Sequence, residues 1–187
     1  RFGQSCSGLE IFEFLKSLKE KAPNSVGEQP VSAIAYDGDA EASVAIILRV
    51  APYSSSSLSL ADEAVQHCIA LLTKHDQSGS PNIAQMLSTI ANEPHTLQLE
   101  VLMITRTTVP DLASADAKRW SGNVAFPGGK RLSGEGTVAA AERETMEEVG
   151  LDLRGPDFRL VARLPDRCAR RGMDVAALVY MQVCPWS

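Results

Sequence analysis

The chain has 187 residues, enough for one well-cored domain with an embellishment, and its 44% hydrophobic and 22% charged residues are ordinary for a soluble globular protein. The formal net charge of -5 and pI near 5.2 exclude nucleic-acid backbone binding driven by bulk charge. No run approaches the ~18 apolar residues a membrane helix needs, the nearest being "VAIILRVA".

In chain order, "SGLEIFEFLKSLKEKAP" predicts a helix, with Ser7 and Glu10 at capping-box spacing, Phe12, Leu15 and Leu18 on one face, and Pro23 barring continuation. "SVAIILRV", Ser43 to Val50, is a strand apolar on both faces and therefore buried. "APYSSSSLS" is a loop by composition, with a flexible surface run at Ser54 to Ser57. Two helices follow, "SLADEAVQHCIALLTKH" with Leu60, Ala64, Cys68 and Leu71 in register, then "NIAQMLSTIAN". "LQLEVLMITR" predicts one further strand, and "FRLVARL" and "DVAALVYMQV" two more. Residues 51–96 thus form a helical insertion between the first two strands of a single domain spanning 1–187. Its apolar stripe must pack on the domain, across a homodimer or on a partner protein. Cys6, Cys68, Cys168 and Cys184 form no C-x-x-C pair and read as unpaired buried thiols of an intracellular, reducing compartment. The chain opens at Arg1 rather than methionine, as a processed or excised form would, and it stops at "CPWS" just past a strand.

The stretch "GGKRLSGEGTVAAAERETMEEVG" carries the chemistry. Glu135, Glu142, Glu144, Glu147 and Glu148 crowd a helix predicted over Thr137 to Val149, with Gly150 as its left-handed C-terminal cap. At about 100° per residue, Glu144, Glu147 and Glu148 occupy roughly 100° of the circumference. Val138, Thr145 and Val149 form the core stripe, and Glu142 falls beside it without evident reason. Each like-charged pair at i,i+3 or i,i+4 costs about 0.2–0.5 kcal/mol, and carboxylates in the last turn meet the negative end of the helix dipole at roughly 0.3–1 kcal/mol apiece. Only Arg143 stands nearby as a cation. A solvated acidic face is the bland alternative. The glycine-rich "FPGGKRLSGEG" leads into the helix and lets backbone carbonyls approach whatever the carboxylates hold. A hard divalent cation, which takes oxygen ligands and bridges carboxylates to phosphates, removes the like-charge cost and accounts for the placement.

This constellation resembles the Nudix box, G-x5-E-x7-R-E-U-x-E-E-x-G-U with U aliphatic. The match runs from Gly129 through Glu135, Arg143, Glu144, Glu147, Glu148 and Gly150 to Leu151, and Thr145 stands at the first U position. The resemblance implies an α/β/α sandwich with a mixed β-sheet and a pyrophosphohydrolase that splits a nucleoside diphosphate linked to another group, using Mg²⁺ or Mn²⁺. By motif position, Glu144, Glu147 and Glu148 would be metal ligands together with the carbonyl of Gly128. Arg143 would orient the glutamates, and Glu135 would assist metal or water binding.

A second, partial resemblance is to the coenzyme A diphosphatases, L-L-T-x-R-S followed by G-x-V-A-F-P-G-G. Met103, Ile104, Thr105, Arg106 and Thr107 lie near the first part; Gly122, Val124, Ala125, Phe126 and Pro127 match the second. The family's L-R-x-H element is absent, "ADAKRW" standing in its place, and extra residues separate Thr107 from Gly122. The resemblance implies a nucleotide or coenzyme-A-like substrate, with Arg106, Phe126 and Lys130 as contacts. Trp120 and Phe126 would serve either core packing or base stacking. The family usually has a short hairpin where the insertion stands and continues past the final strand, so its C-terminal part is expected to be either truncated or lost. Two other readings stay open: an RNA 5′-end pyrophosphohydrolase or RNA-processing subunit guided by Arg163, Arg167, Arg170 and Arg171, and a nucleotide-binding scaffold with weak catalysis.

Overall fold

The computed structural model describes residues 39–52, 58–73, 83–92, 97–106, 122–169 and 172–184. The helix expected over residues 7–23, the serine run, Cys6, Trp120, "ADAKRW", Arg170 and Arg171 lie outside them.

The buried run predicted at Ser43 to Val50 is the backbone of the molecule. It forms β1, Ala42–Pro52, two residues into the stretch assigned to a loop. On one side β1 pairs in parallel with β7, Asp174–Gln182, which in turn pairs antiparallel with β6, Phe158–Cys168. Its other side is shared. β2, Leu97–Val101, takes Leu48 to Pro52, and β5, Gly128–Lys130, takes Ala42 to Val44, both antiparallel. The result is a mixed five-stranded sheet. Arg49 and Glu100 face each other across β1 and β2 as an ion pair.

That shared side corrects one expectation. Residues 97–106 do not make a single strand: β2 ends at Val101, and β3, Ile104–Thr105, pairs with β4, Val124–Ala125, in a separate two-stranded sheet. Leu102 N–H makes the last bond to β1, at Ile47 O, and Ala45 N–H already donates to Pro127 O ahead of β5. The β1 positions from Ala42 to Ala45 are bonded by the β5 segment, and the chain must leave. β6 also runs four residues past its predicted end, with register shifts at Leu160/Ala162 and Leu164/Arg167. Pro165, which lacks an N–H, sits inside the second shift, where the ladder is already broken.

Because side chains alternate along a strand, β1 is apolar on both faces and two cores form. Ala45, Ile47, Leu178 and Tyr180 pack with Ala141 of α3, Thr137–Val149. Leu48, Val50, Val179 and Met181 pack with Cys68 and Leu71 of α1, Leu58–Thr73, and Met86 and Ile90 of α2, Ile83–Asn92. The chain is thus an α/β/α sandwich, and the two helices between β1 and β2 supply one outer layer. The stripe expected on the first inserted helix is present at Ala64, Cys68 and Leu71. Cys68 is a buried free thiol, whose burial pushes its pKa up to about 11. Cys168 and Cys184 are free but exposed, which corrects the expectation that the thiols are buried: they stand at the end of β6 and just past β7, away from either core. Among the described residues no helix is long and apolar enough to cross a membrane.

Candidate metal and phosphate site

Helix α3 ends as its sequence requires. Gly150 adopts the left-handed conformation (φ 72°, ψ 20°) and its N–H caps Met146 O. Of the helix's expected stripe of Val138, Thr145 and Val149, only Thr145 is fully buried. Thr137, Ala140, Ala141 and Thr145 are its buried residues, while Val138 and Val149 are half-buried at the flanks. Small side chains let the helix axis approach the strands. Thr145 fits this seat because its hydroxyl donates to Ala141 O at 2.7 Å, leaving no unpaired polar group. Glu142 also acquires a reason: the hydroxyl of buried Tyr180 donates to its Oε1 at 3.3 Å. Burial nonetheless holds the Glu142 carboxyl above the usual carboxylate range.

Arg143 organises the acidic side. Its Nε and Nη2 donate to the two oxygens of Glu135 at 2.8 and 2.9 Å, a bidentate pair. Nη1 donates to Glu144 Oε1 at 2.8 Å and to Glu147 Oε2 at 3.3 Å, and Nη2 reaches Lys130 O at 3.0 Å. Glu135 also accepts from Leu132 N–H at 2.8 Å. The Arg143 hydrogen bond, more than any other cause, lowers the Glu135 pKa to about 2, and the guanidinium is held charged in return. Arg131 ties the same loop down by donating to Glu135 O and Ala40 O.

The two glycines ahead of the loop are dictated by close approach. Gly128 has φ 152°, and a Cβ there would fall 2.3 Å from Ser43 O. Its N–H donates to Glu148 Oε2 at 2.9 Å. A Cβ on Gly129 would fall 2.5 Å from the Glu144 carboxyl carbon, so only glycine leaves that carboxylate its place.

The structure therefore brings Glu135, Arg143, Glu144 and Glu147 into one network with the Lys130 carbonyl, and sets Glu148 on Gly128. Among the described residues no three acidic, histidine or cysteine side chains converge as a closed metal shell. Arg143 engages Glu144 and Glu147, and the Gly128 N–H engages Glu148. The donor set still suits a hard divalent cation in kind, being oxygen throughout, and the bare Gly129 position is a cradle that admits the Glu144 carboxylate. Arg106 is exposed and extends the β3–β4 pairing through Asn123 and Gly122. Phe126 is half-buried and the Lys130 side chain is exposed. Among the described residues no ion pair joins any of these three side chains to the glutamates. Arg163, one of the arginines considered for guiding RNA, donates instead to Thr137 Oγ1 and Asp166. The sequence reading missed Arg131, Ser43 and Tyr180. An arginine inside the glycine-rich loop was a signal for the first, while the other two are known only from strand register.

The chain is similar to known proteins over parts of its length. The family model described as "NUDIX domain" matches residues 89–183, more than half of the chain. An uncharacterized protein of Schizosaccharomyces pombe is 47% identical over 53 residues, 28% of this chain and 16% of that protein. Among solved structures, a Nudix hydrolase from M. smegmatis, RenU, superposes with a TM-score of 0.38 at 14% identity, over 79% of this chain and 64% of that one. A MutT/nudix family protein from Enterococcus faecalis gives 0.36 at 18% identity, over 96% of this chain and 49% of that one. The chain thus spans less than two thirds of the length of each of these relatives.

Proposed function

Because the chain belongs to the Nudix family, we propose that it is a metal-dependent pyrophosphohydrolase that splits the diphosphate linkage of a nucleoside diphosphate derivative. The observation that carries this reading is the seating of Glu144 in the side-chain space that Gly129 leaves empty, beside Glu148 on the Gly128 N–H. A solvated acidic face has no use for a glycine at position 129, where a Cβ would meet the Glu144 carboxylate.

Glu144, Glu147 and Glu148, with the Gly128 carbonyl, would hold Mg²⁺ or Mn²⁺. Such an ion, when bound, neutralises diphosphate charge and lowers the pKa of the attacking water. The chain's own part is positional. Arg143 aims Glu144 and Glu147, and Glu135 fixes Arg143 through two bonds. Lys130, Arg106 and Phe126 are the candidate substrate contacts: two cations for phosphate and one ring for a base. The partial likeness to coenzyme A diphosphatases favours nucleotides and coenzyme-A-like molecules. The same reading takes 1–187 as one domain with 51–96 as its insertion.

The test is a screen of the purified chain with Mg²⁺ and Mn²⁺ against nucleoside diphosphate derivatives, dinucleotides and coenzyme A. Cleavage of a diphosphate linkage that disappears on removal of the metal supports the proposal. Metal-dependent nucleotide binding with no turnover by any candidate overturns it in favour of a binding module.

A further inference from the structure

Among the described residues, one buried side-chain polar atom is out of place. Ser43 is fully buried in a strand that is otherwise apolar from Ala42 to Leu48, and among the described residues no hydrogen-bond partner reaches its Oγ. A buried hydroxyl without a partner keeps the cost of losing its water, so such a position calls for an explanation.

The register supplies one. Ser43 lies directly opposite Gly129 in the β1–β5 pairing. Directly opposed residues of antiparallel strands point to the same face, with Cβ positions about 4.5–5.5 Å apart. The Cβ position of Gly129 is filled by the Glu144 carboxylate, whose two oxygens lie 2.6 Å from it. Ser43 also shares its face with Ala45 and Ile47, which pack with Ala141 and Val138 of α3. The serine side chain therefore stands about one cross-strand spacing from the position that Glu144 fills. Arg143 engages Glu144 through Oε1, which leaves Oε2 to accept another donor.

We propose that Ser43 is a positioning residue for the cation site, its buried hydroxyl donating to the Glu144 carboxylate when that carboxylate turns from Arg143 to a divalent cation. The inference rests on the reading of Glu144 as a metal ligand. Ligating carboxylates are themselves held by hydrogen bonds, and loss of such a partner typically weakens metal binding about 10–100-fold. Ser43 suits the role because burial removes competing water and the short side chain restricts where its hydroxyl can go.

The experiment is Mn²⁺ binding followed by the electron paramagnetic resonance signal of the free ion, beside metal-free thermal denaturation, for wild type, Ser43→Ala and Ser43→Cys. The proposal expects Ser43→Ala to bind Mn²⁺ about tenfold more weakly with its metal-free Tm unchanged or raised. Ser43→Cys, close in volume but a weak donor, should fall in between. Wild-type affinity in Ser43→Ala would reduce the hydroxyl to packing and overturn the proposal. A marked fall in metal-free Tm would overturn it too, because the hydroxyl would then serve the fold. If wild type binds no Mn²⁺, the reading of Glu144 as a ligand falls first and takes Ser43 with it.

Discussion

Arg143 donates to five oxygens, two of Glu135, one each of Glu144 and Glu147, and the Lys130 carbonyl. The contributions are unequal. Glu147 is 59% exposed and its contact is the longest, 3.3 Å, so it is an exposed helix pair worth about 0.3–0.5 kcal/mol. Removing its charge also relieves repulsion from Glu144 and Glu148 of about the same size. Glu147→Gln should therefore abolish hydrolysis while metal-free Tm stays level or rises slightly, as activity assays and differential scanning calorimetry would show. A large fall in metal-free Tm would make the pair structural. Glu135 behaves oppositely. Its carboxyl ordinarily titrates at 4.5 and is held at about 2. A depressed folded-state value contributes stability that is complete above 4.5 and lost as pH falls toward 2. The Glu135 carboxyl carbon should accordingly show no NMR titration around pH 4, and Glu135→Gln should lose stability at neutral pH but much less of it in strong acid. A midpoint near ~4.3, the unperturbed glutamate value, would mean the bidentate pair does not persist in solution.

Helix α3 presents two chemically opposite flanks to the protein, one of carboxylates gathered around Arg143 and one of small residues pressed on the sheet. Glu142 belongs to the second. Burial raises its pKa, the Tyr180 hydroxyl partly opposes this, and the charges of Arg154 and Asp152 act on it with opposite signs. A raised carboxyl pKa means the folded chain holds the proton longer than the unfolded one, so stability declines as pH rises through the range above 4.5. Glu142→Gln keeps an acceptor for Tyr180 and removes the buried charge. It should raise Tm at neutral pH, and the gain should shrink at pH values below 4.5, readable from thermal melts at several pH values. A lower Tm at neutral pH would show that the charged form is what anchors the helix. How far the helix was legible in sequence follows from the same division. Its span, cap and acidic side depend on local spacing and were readable. Of its contact stripe Thr145 was readable but Thr137, Ala140 and Ala141 were not, because small residues carry little hydrophobic signal and gain their importance from how closely the sheet approaches.

For the whole molecule, helices α1 and α2 cover what would otherwise be bare sheet. Cys68, Leu71, Met86 and Ile90 cover Leu48, Val50, Val179 and Met181 on the face opposite α3. Deleting Ser54 to Pro94 would expose that face, and the variant should aggregate or form oligomers in size-exclusion chromatography with light scattering. A monomeric deletion variant with the parent Tm would show that the inserted helices contribute nothing to the core.

The sequence by itself determined the family, the box residues, the acidic helix with its glycine cap, and the amphipathic character of the insertion, because each depends on spacing within about 25 residues of chain. Tertiary structure alone decided three other matters. It broke residues 97–106 at Leu102, since β1 has one free edge and β5 already takes half of it. It gave Glu142 a partner in Tyr180, 38 residues away. It set Ser43 opposite Gly129, whose Cβ position Glu144 fills, a neighbourhood created by strand register, to which no local pattern in the chain corresponds.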